Sequence, residues 1–285
     1  MGVLIDFNIN FYNTLNYYFN IYSNFLKGVS MASNDLVKGV VMDFDEWEVW
    51  YKEILDTFGF PREDDEKTAV LLDKILDEKG YLSIEEFFDE IMDKKGLTDK
   101  FIVFGAGPSL KKHISFVKEN YDLDKYLLVS ADGATTAMLE DGLVPDIVAT
   151  DLDGRMADLL AANSLGSYFV IHAHGNNEEL IENWTGSFDK ILGTTQAAPI
   201  GHLYNFGGFT DGDRAMFFTL ALGVKEMVLA GMDFGTIVTK YSRPNIEGET
   251  GPADEIKTKK LIFAERLLNW IRENTDVKVI NLIDE

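Results

Sequence analysis

Four acidic residues stand out by their placement: Asp132, Asp146, Asp151 and Asp153, within SADGATTAMLEDGLVPDIVATDLDG at residues 130–154. Three of them fall where apolar, β-prone runs stop. YLLVS ends just before Asp132, and DIVAT ends at Asp151. In a parallel α/β sheet the carboxyl ends of the strands open onto one edge, where ligands bind. Two strand ends that deliver carboxylates to that edge make a seat for a hard cation such as Mg2+, and through it for a polyphosphate. The D-x-D spacing of Asp151 and Asp153 strengthens this reading, because alternate strand-end residues share a side. Asp and Gly also cap helices and shape turns, so a purely structural role stands beside the metal role. Asp146 follows Pro145 and precedes its strand. It belongs at the opposite end and outside the metal set.

Other turns repeat the pattern. In FIVFGAGPSLKKH, Gly105 and Gly107 allow a tight turn, Pro108 suits a first helical position, and the amides after it would point at an anion. This is neither a full G-x-G-x-x-G nor a Walker A loop, and tight strand–helix packing explains it equally well. In ADGATT, small residues beside Asp132 let a ligand approach the backbone. YFVIHAHGNN sets His172 and His174 on one side of a strand end. Zinc would need a third ligand there, so a hydrogen bond to phosphate or substrate is the better expectation, with a buried structural histidine still open for either. Thr210, Asp211 and Asp213 head an apolar helix, where an N-cap cluster is expected on its own account. Asp233, in GMDFG, ends another strand, where a carboxylate can accept two N–H bonds from an amidine-like face of a heterocycle or can act as a cap.

These turns need a scaffold. From Asp43 to about Gly96 the pattern is helical: WEVWYKEILDTF, a break at Phe60-Pro61, DDEKTAVLLDKILDEKG, and SIEEFFDEIMDKKG with Ser83 and Glu86 as a capping box. The aromatic stripe of Trp47, Trp50, Tyr51 and Phe58 reads as core or interface. After Gly96 strands alternate with helices: FIVFG, YLLVSA, DIVAT, YFVIHAH, KILGT, EMVLAG and KVINLI. The pattern predicts an α/β chain with a mostly parallel, doubly wound, Rossmann-like sheet and a small N-terminal helical cap. The expected boundaries are a helical segment at 42–98 and a catalytic domain at 99–285. Residues 236–258 read as a polar insertion, followed by the helix KKLIFAERLLNWIREN.

Composition narrows the chemistry. The 285 residues carry 48 acidic and 26 basic side chains, a net charge of -22, which argues against nonspecific nucleic-acid binding. A polyanion would have to be held by metal ions, backbone amides and a few placed cations. With no Cys, thiolate sites and disulfides are excluded, in keeping with a cytoplasmic protein. The first thirty residues, rich in Asn, Tyr, Phe and Ile, make a poor signal peptide and a poor membrane span. Residues 1–41 read as a mostly translated, non-native or disordered leader ahead of a native start at Met42 or Met31, with an interfacial anchor as the lesser alternative.

Taken in order, GAGPSL, ADGATT, GLVPD, ATDLDG, HAHG, FGGFTDGDRA, LAGMDFG and KYS resemble the archaeal 6-hydroxymethyl-7,8-dihydropterin pyrophosphokinase family over Phe101–Ser242. The core of the pattern is also similar to thiamine pyrophosphokinases, whose last block continues D-x-D-S; Gly154 stands at that Ser. An acidic residue often follows HAHG in the first family, and Asn176 stands there. The resemblance implies transfer of diphosphate from ATP to a reduced hydroxymethylpterin with release of AMP, in tetrahydromethanopterin or folate-type biosynthesis. It implies Mg2+ held by Asp132, Asp151 and Asp153, with Asp211 completing that site or positioning the hydroxyl. By the same token Gly105, Gly107, Ser109 and Gly133 would meet the nucleotide, as would His172 and His174. Arg214 or Lys240 would supply positive charge, and Asp233 would bind the pterin amino group. The partners expected are ATP and the pterin, without nucleic acid or membrane, and a homodimer is compatible with them. The rival readings are a thiamine pyrophosphokinase, a nucleotide-sugar glycosyltransferase using the same D-x-D, and a non-catalytic Mg-ATP sensor.

Overall fold

A computed structural model describes residues 42–96 and 98–284; the expected leader at 1–41 lies outside the described residues. Three helices come first. Helix α1 (Phe44–Phe58) is capped by Asp43, whose side chain accepts from the Glu46 amide at 2.9 Å, and it stops at Gly59 in the left-handed region. Helix α2 (Arg62–Lys79) starts directly after Pro61. Helix α3 (Ile84–Lys95) opens with the expected Ser83–Glu86 capping box.

The rest is an eight-stranded parallel sheet. Its strands are β1 (Lys100–Phe104), β2 (Leu127–Ala131), β3 (Ile147–Thr150), β4 (Tyr168–Ala173), β5 (Ile191–Thr195), β6 (Leu203–Tyr204), β7 (Glu226–Ala230) and, at the end of the chain, β10 (Lys278–Asn281). The spatial order is β10-β7-β1-β2-β3-β4-β5-β6. The chain steps outward from β1 to β6 and then returns to pair β7 with the other side of β1. That reversal makes a topological switch point between β1 and β7, the place where open α/β sheets bind ligands outside the carboxyl ends of their strands.

Helices α4 (Leu110–Asn120), α5 (Ala134–Glu140), α6 (Met156–Ser164) and α7 (Glu178–Trp184) connect the strands. Strand register puts Ile102, Leu128, Val148, Phe169 and Ile191 on one face of the sheet. They form two apolar clusters with the connecting helices, one of which includes Ala69, Leu72 and Leu76 of α2. Those three residues sit at helical spacing, and this is how α2 docks on the sheet. Gly193 in β5 makes room for it: a Cβ there would lie 2.6 Å from Leu76 and 2.4 Å from Leu203.

Helix α8 (Asp211–Ala221) packs on β1, β2 and β3, and it is buried almost all round because α9 (Glu255–Asn274) covers its other side, with Phe217 stacked on Trp270 at 5.6 Å. An apolar stretch such as AMFFTLAL, in which the one hydroxyl, that of Thr219, donates to the Met216 carbonyl, is what a helix buried on all sides requires. The 236–258 stretch is not wholly irregular. It holds a short antiparallel hairpin, β8 (Ile237–Thr239) with β9 (Thr250–Pro252), and its last residues already belong to α9, capped by Asp254. Among the described residues no helix is long and apolar enough to cross a membrane.

Candidate active site

The carboxyl edge of the sheet gathers the acidic turns. Asp132 follows β2 and Asp151 follows β3, and the Asp132 amide donates to the Ala149 carbonyl at 2.8 Å, locking the two strand ends side by side. The Thr150 hydroxyl donates to Asp132 Oδ1 and accepts from the Leu152 amide. Leu152 has φ 68°, unusual for a branched side chain, and its side chain is buried in the apolar cluster below. The backbone reversal there returns Asp153 to the side of Asp151. One oxygen from each of Asp132, Asp151 and Asp153 lies within 4.8 Å of the others. Hard oxygen donors in that space can hold a divalent cation of the Mg2+ type.

Gly154 is required by this packing. A Cβ at that position would lie 2.2 Å from Asp132 Oδ2, so a serine would collide with the carboxylate. Asp146 lies at the other end of β3, buried, accepting from the Leu128 amide and paired with Lys94 and Lys95.

Neighbouring groups divide the charge unevenly. Burial pushes Asp132 well above the usual carboxylate range, and Asp211, Asp151 and Asp153 push it further. Burial also acts on Asp151, but it is outweighed by the His174 imidazole, 3.0 Å away, and by the Arg214 guanidinium, so Asp151 is held below the ordinary range. Lost hydration and the charge of Asp151 push Asp153 up to about 6. Asp211, the first residue of α8, is pushed up to about 8 by burial and by Asp151, against the pull of Arg214 at 3.2 Å. At 4.8 Å two carboxylates repel by about 3 kcal/mol at an effective dielectric near 20, enough to keep a proton on one of them.

Several expected residues have other work. The Gly105 amide donates to the Ala230 carbonyl, the Gly107 amide to the Gly231 carbonyl and the Ser109 amide to Asp233, so each of these amides has a partner within the protein. Pro108 lies in the turn before α4 rather than at its first position. Gly105 and Gly107 still line the cleft, where a Cβ on either would strike the β7 turn at Gly231, Met232 or Asp233. Asp233 also accepts from the Ser109 hydroxyl at 2.7 Å, which makes it a cap for the α4 turn, while its side chain remains on the cleft wall. Gly133 passes under the hairpin; a Cβ there would lie 1.8 Å from the Tyr241 carbonyl.

His172 is buried inside the sheet with Nδ1 3.0 Å from the Thr194 hydroxyl; burial and the charge of Arg214 keep it neutral. Of the two histidines, His174 lines the cleft and His172 lies behind it. Lys240 pairs with Glu249 at 2.9 Å and is not among the residues that line the cleft.

The cleft also contains residues that the sequence did not single out. Asp65 of α2 accepts from the Gly175 amide at 2.6 Å, from Gln196 at 2.8 Å and from the Tyr51 hydroxyl at 2.6 Å. Gln196 in turn accepts from Arg214 at 3.2 Å. Lys257 and Lys260 of α9 complete the wall. Their signal was available: Asp254 followed by EIKTKKLIF is an N-cap ahead of an apolar-periodic run, which starts the helix early enough to include Lys257.

Comparison with known proteins adds the following. Residues 73–239 match the family model described as 6-hydroxymethylpterin diphosphokinase MptE-like. The chain is similar to proteins named 6-hydroxymethyl-7,8-dihydropterin pyrophosphokinase from three archaea. It is 49% identical to that of Methanothermobacter thermautotrophicus, over 84% of this chain and 99% of the relative. It is 39% identical to that of Methanocaldococcus jannaschii, over 84% and 100%, and 43% identical to that of Pyrococcus furiosus, over 84% and 98%. Among solved structures it is similar to the Maf glycosyltransferase of Magnetospirillum magneticum AMB-1, with a TM-score of 0.44 and 18% identity, over 65% of this chain and 32% of that one.

Proposed function

The chain belongs to the MptE-like family of 6-hydroxymethylpterin diphosphokinases, and from that membership we propose that it transfers diphosphate from ATP to 6-hydroxymethyl-7,8-dihydropterin. The hydroxymethyl oxygen attacks the β-phosphorus of ATP and loses its proton. The bond from that phosphorus to the oxygen bridging the α- and β-phosphates breaks, and AMP leaves. The observation that carries the reading at the level of chemistry is the carboxylate trio Asp132, Asp151 and Asp153, held on two adjacent strand ends.

The trio fits Mg2+, which when bound supplies charge neutralisation to the phosphate oxygens. Asp151 is the member already ionised, because His174 and Arg214 stabilise its charge. His174 orients the Asp151 carboxylate, and Asn177 fixes the backbone on either side through the Asp151 and His172 carbonyls. Asp211, tied to Arg214 at the head of α8, is the residue we assign to positioning the acceptor hydroxyl. Asp233 remains the carboxylate assigned to the pterin amino group, with one oxygen engaged by Ser109.

The test is direct. The purified chain is incubated with Mg2+, ATP and the reduced hydroxymethylpterin, and products are followed by 31P NMR. Equal amounts of AMP and pterin diphosphate are expected. ADP as the nucleotide product would overturn diphosphoryl transfer, and turnover of thiamine in preference to the pterin would overturn the acceptor. AMP in neither case, with tight Mg-ATP binding, would favour the sensor reading.

A further inference from the structure

Helix α9 contributes two lysines to the cleft, three residues apart and so on one face of the helix. Among the described residues neither has an ion pair. The lysine between them behaves differently: Lys259 pairs with Glu255 at 2.7 Å on the exposed side. Lys240 on the hairpin is paired as well. Lys257 and Lys260 are half-buried, and Lys260 lies 5.8 Å from the centre of the Phe60 ring and 5.3 Å from that of Phe209.

Two ammonium groups drawn out of water without a carboxylate in contact are unfavourable in an isolated protein. Burial lowers the proton affinity of both, with Arg243 adding to the effect on Lys257 and Arg214 to that on Lys260. The acidic groups in electrostatic range are Asp211, Asp153 and Asp151 for Lys257, and Asp151 and Asp211 for Lys260. Lys257, Lys260 and the three carboxylates line the same cleft, and among the described residues no salt bridge joins the amines to them. A cation held by the carboxylates and two ammonium groups across from them bracket a space suited to a chain of phosphates.

We propose that Lys257 and Lys260 form a paired seat for the β- and γ-phosphates of the nucleotide, opposite the carboxylate trio. The assignment rests on the diphosphokinase reading. It explains why the cleft of a protein with net charge -22 keeps two unpaired cations. It also gives α9 a binding role beyond covering α8.

The experiment compares ligands that differ in phosphate number. Binding of α,β-methylene-ATP and of AMP is measured by calorimetry in Mg2+ for the wild type, Lys257→Met, Lys260→Met and the corresponding Arg variants. Each Met variant should bind the triphosphate about 10- to 100-fold more weakly, the range expected for a lost hydrogen bond to a charged group, with AMP affinity changed less than about twofold. The Arg variants should recover part of the loss. A second measurement needs no variant: acylation of lysines in the wild-type protein, read by mass spectrometry, should be suppressed at Lys257 and Lys260 by the triphosphate and not by AMP, with Lys259 unaffected. Equal losses for triphosphate and AMP, unchanged affinities, or absence of protection would overturn the seat. If the wild type releases AMP with the pterin while any of these results is obtained, the seat fails alone; if the wild type neither binds the triphosphate nor releases AMP, the functional reading fails with it.

Discussion

At the scale of single residues, the site is a problem of crowded negative charge. Gly154 is a sensitive point, because its missing side chain leaves room for Asp132. Gly154→Ser should lower turnover by roughly 10- to 100-fold, as displacement of a metal-supporting group does, with an unchanged circular dichroism spectrum; activity within twofold of wild type would show that Asp132 is dispensable. Removing repulsion should stabilise the metal-free protein. Asp211→Asn is expected to raise Tm in chelator by about 2–4 °C while abolishing turnover. Asp151→Asn should not raise Tm, since Asp151 is the member that His174 and Arg214 favour as a carboxylate. Equal shifts for both would contradict the uneven division of charge. The pH dependence follows with a definite sign. An unfolded Asp gives up its proton near pH 4, whereas folded Asp153 and Asp211 keep theirs to about 6 and about 8. Between those limits the unfolded state binds fewer protons, so metal-free stability falls as pH rises from about 4 to 8. Asp151 acts in the opposite sense, and its stabilisation is lost only as pH falls below the ordinary carboxylate range. A thermal melt series in chelator should show Tm declining toward pH 8, and Mg2+ should restore it most at the alkaline end.

At the scale of elements, the question is which segments hold these residues in register. Helix α2 reaches the cleft through Asp65, whose carboxylate joins the Gly175 loop, Gln196 and Tyr51. Asp65→Asn should reduce kcat by about tenfold with a smaller change in KM for ATP, because it loosens His174 and Arg214 together; loss confined to KM would argue against that linkage. The large elements were legible. Seven strands have apolar cores bounded by turn residues, so their positions could be read to within a residue or so, and the parallel, doubly wound order follows from the helices between them. The acidic trio was legible because Asp132 and Asp151 each directly follow a strand and Asp153 stands in D-x-D spacing to Asp151. Strand β6 was not, since two residues carry no period. Strands β8 and β9 were hidden as well, because they are three residues each in a polar stretch with Pro244 and Pro252. The engaged amides of Gly105 and Gly107 were also hidden, because their acceptors on β7 lie more than a hundred residues away.

At the scale of the whole molecule, the field opposes the proposed substrate. A net charge of -22 repels a nucleotide that remains anionic with Mg2+ bound, while the lysines of α9 act only at short range. KM for Mg-ATP should therefore fall a few-fold as KCl is raised from about 10 mM to about 150 mM, where the Debye length shortens to about 8 Å; a monotonic rise would mean that local pairing dominates. The return of the chain to pair β7 with β1 has a further consequence, for the order of assembly. During synthesis the carboxylates after β2 and β3 emerge well before their surroundings are complete. The first strand stays an unpaired edge until residues 226–230 arrive, and the amines of α9 come later still. Contacts of such long sequence separation close late. A nascent or C-terminally truncated chain would thus expose a raw strand edge beside a cluster of unbalanced acids. Such chains should be prone to edge-to-edge association as well as inactive.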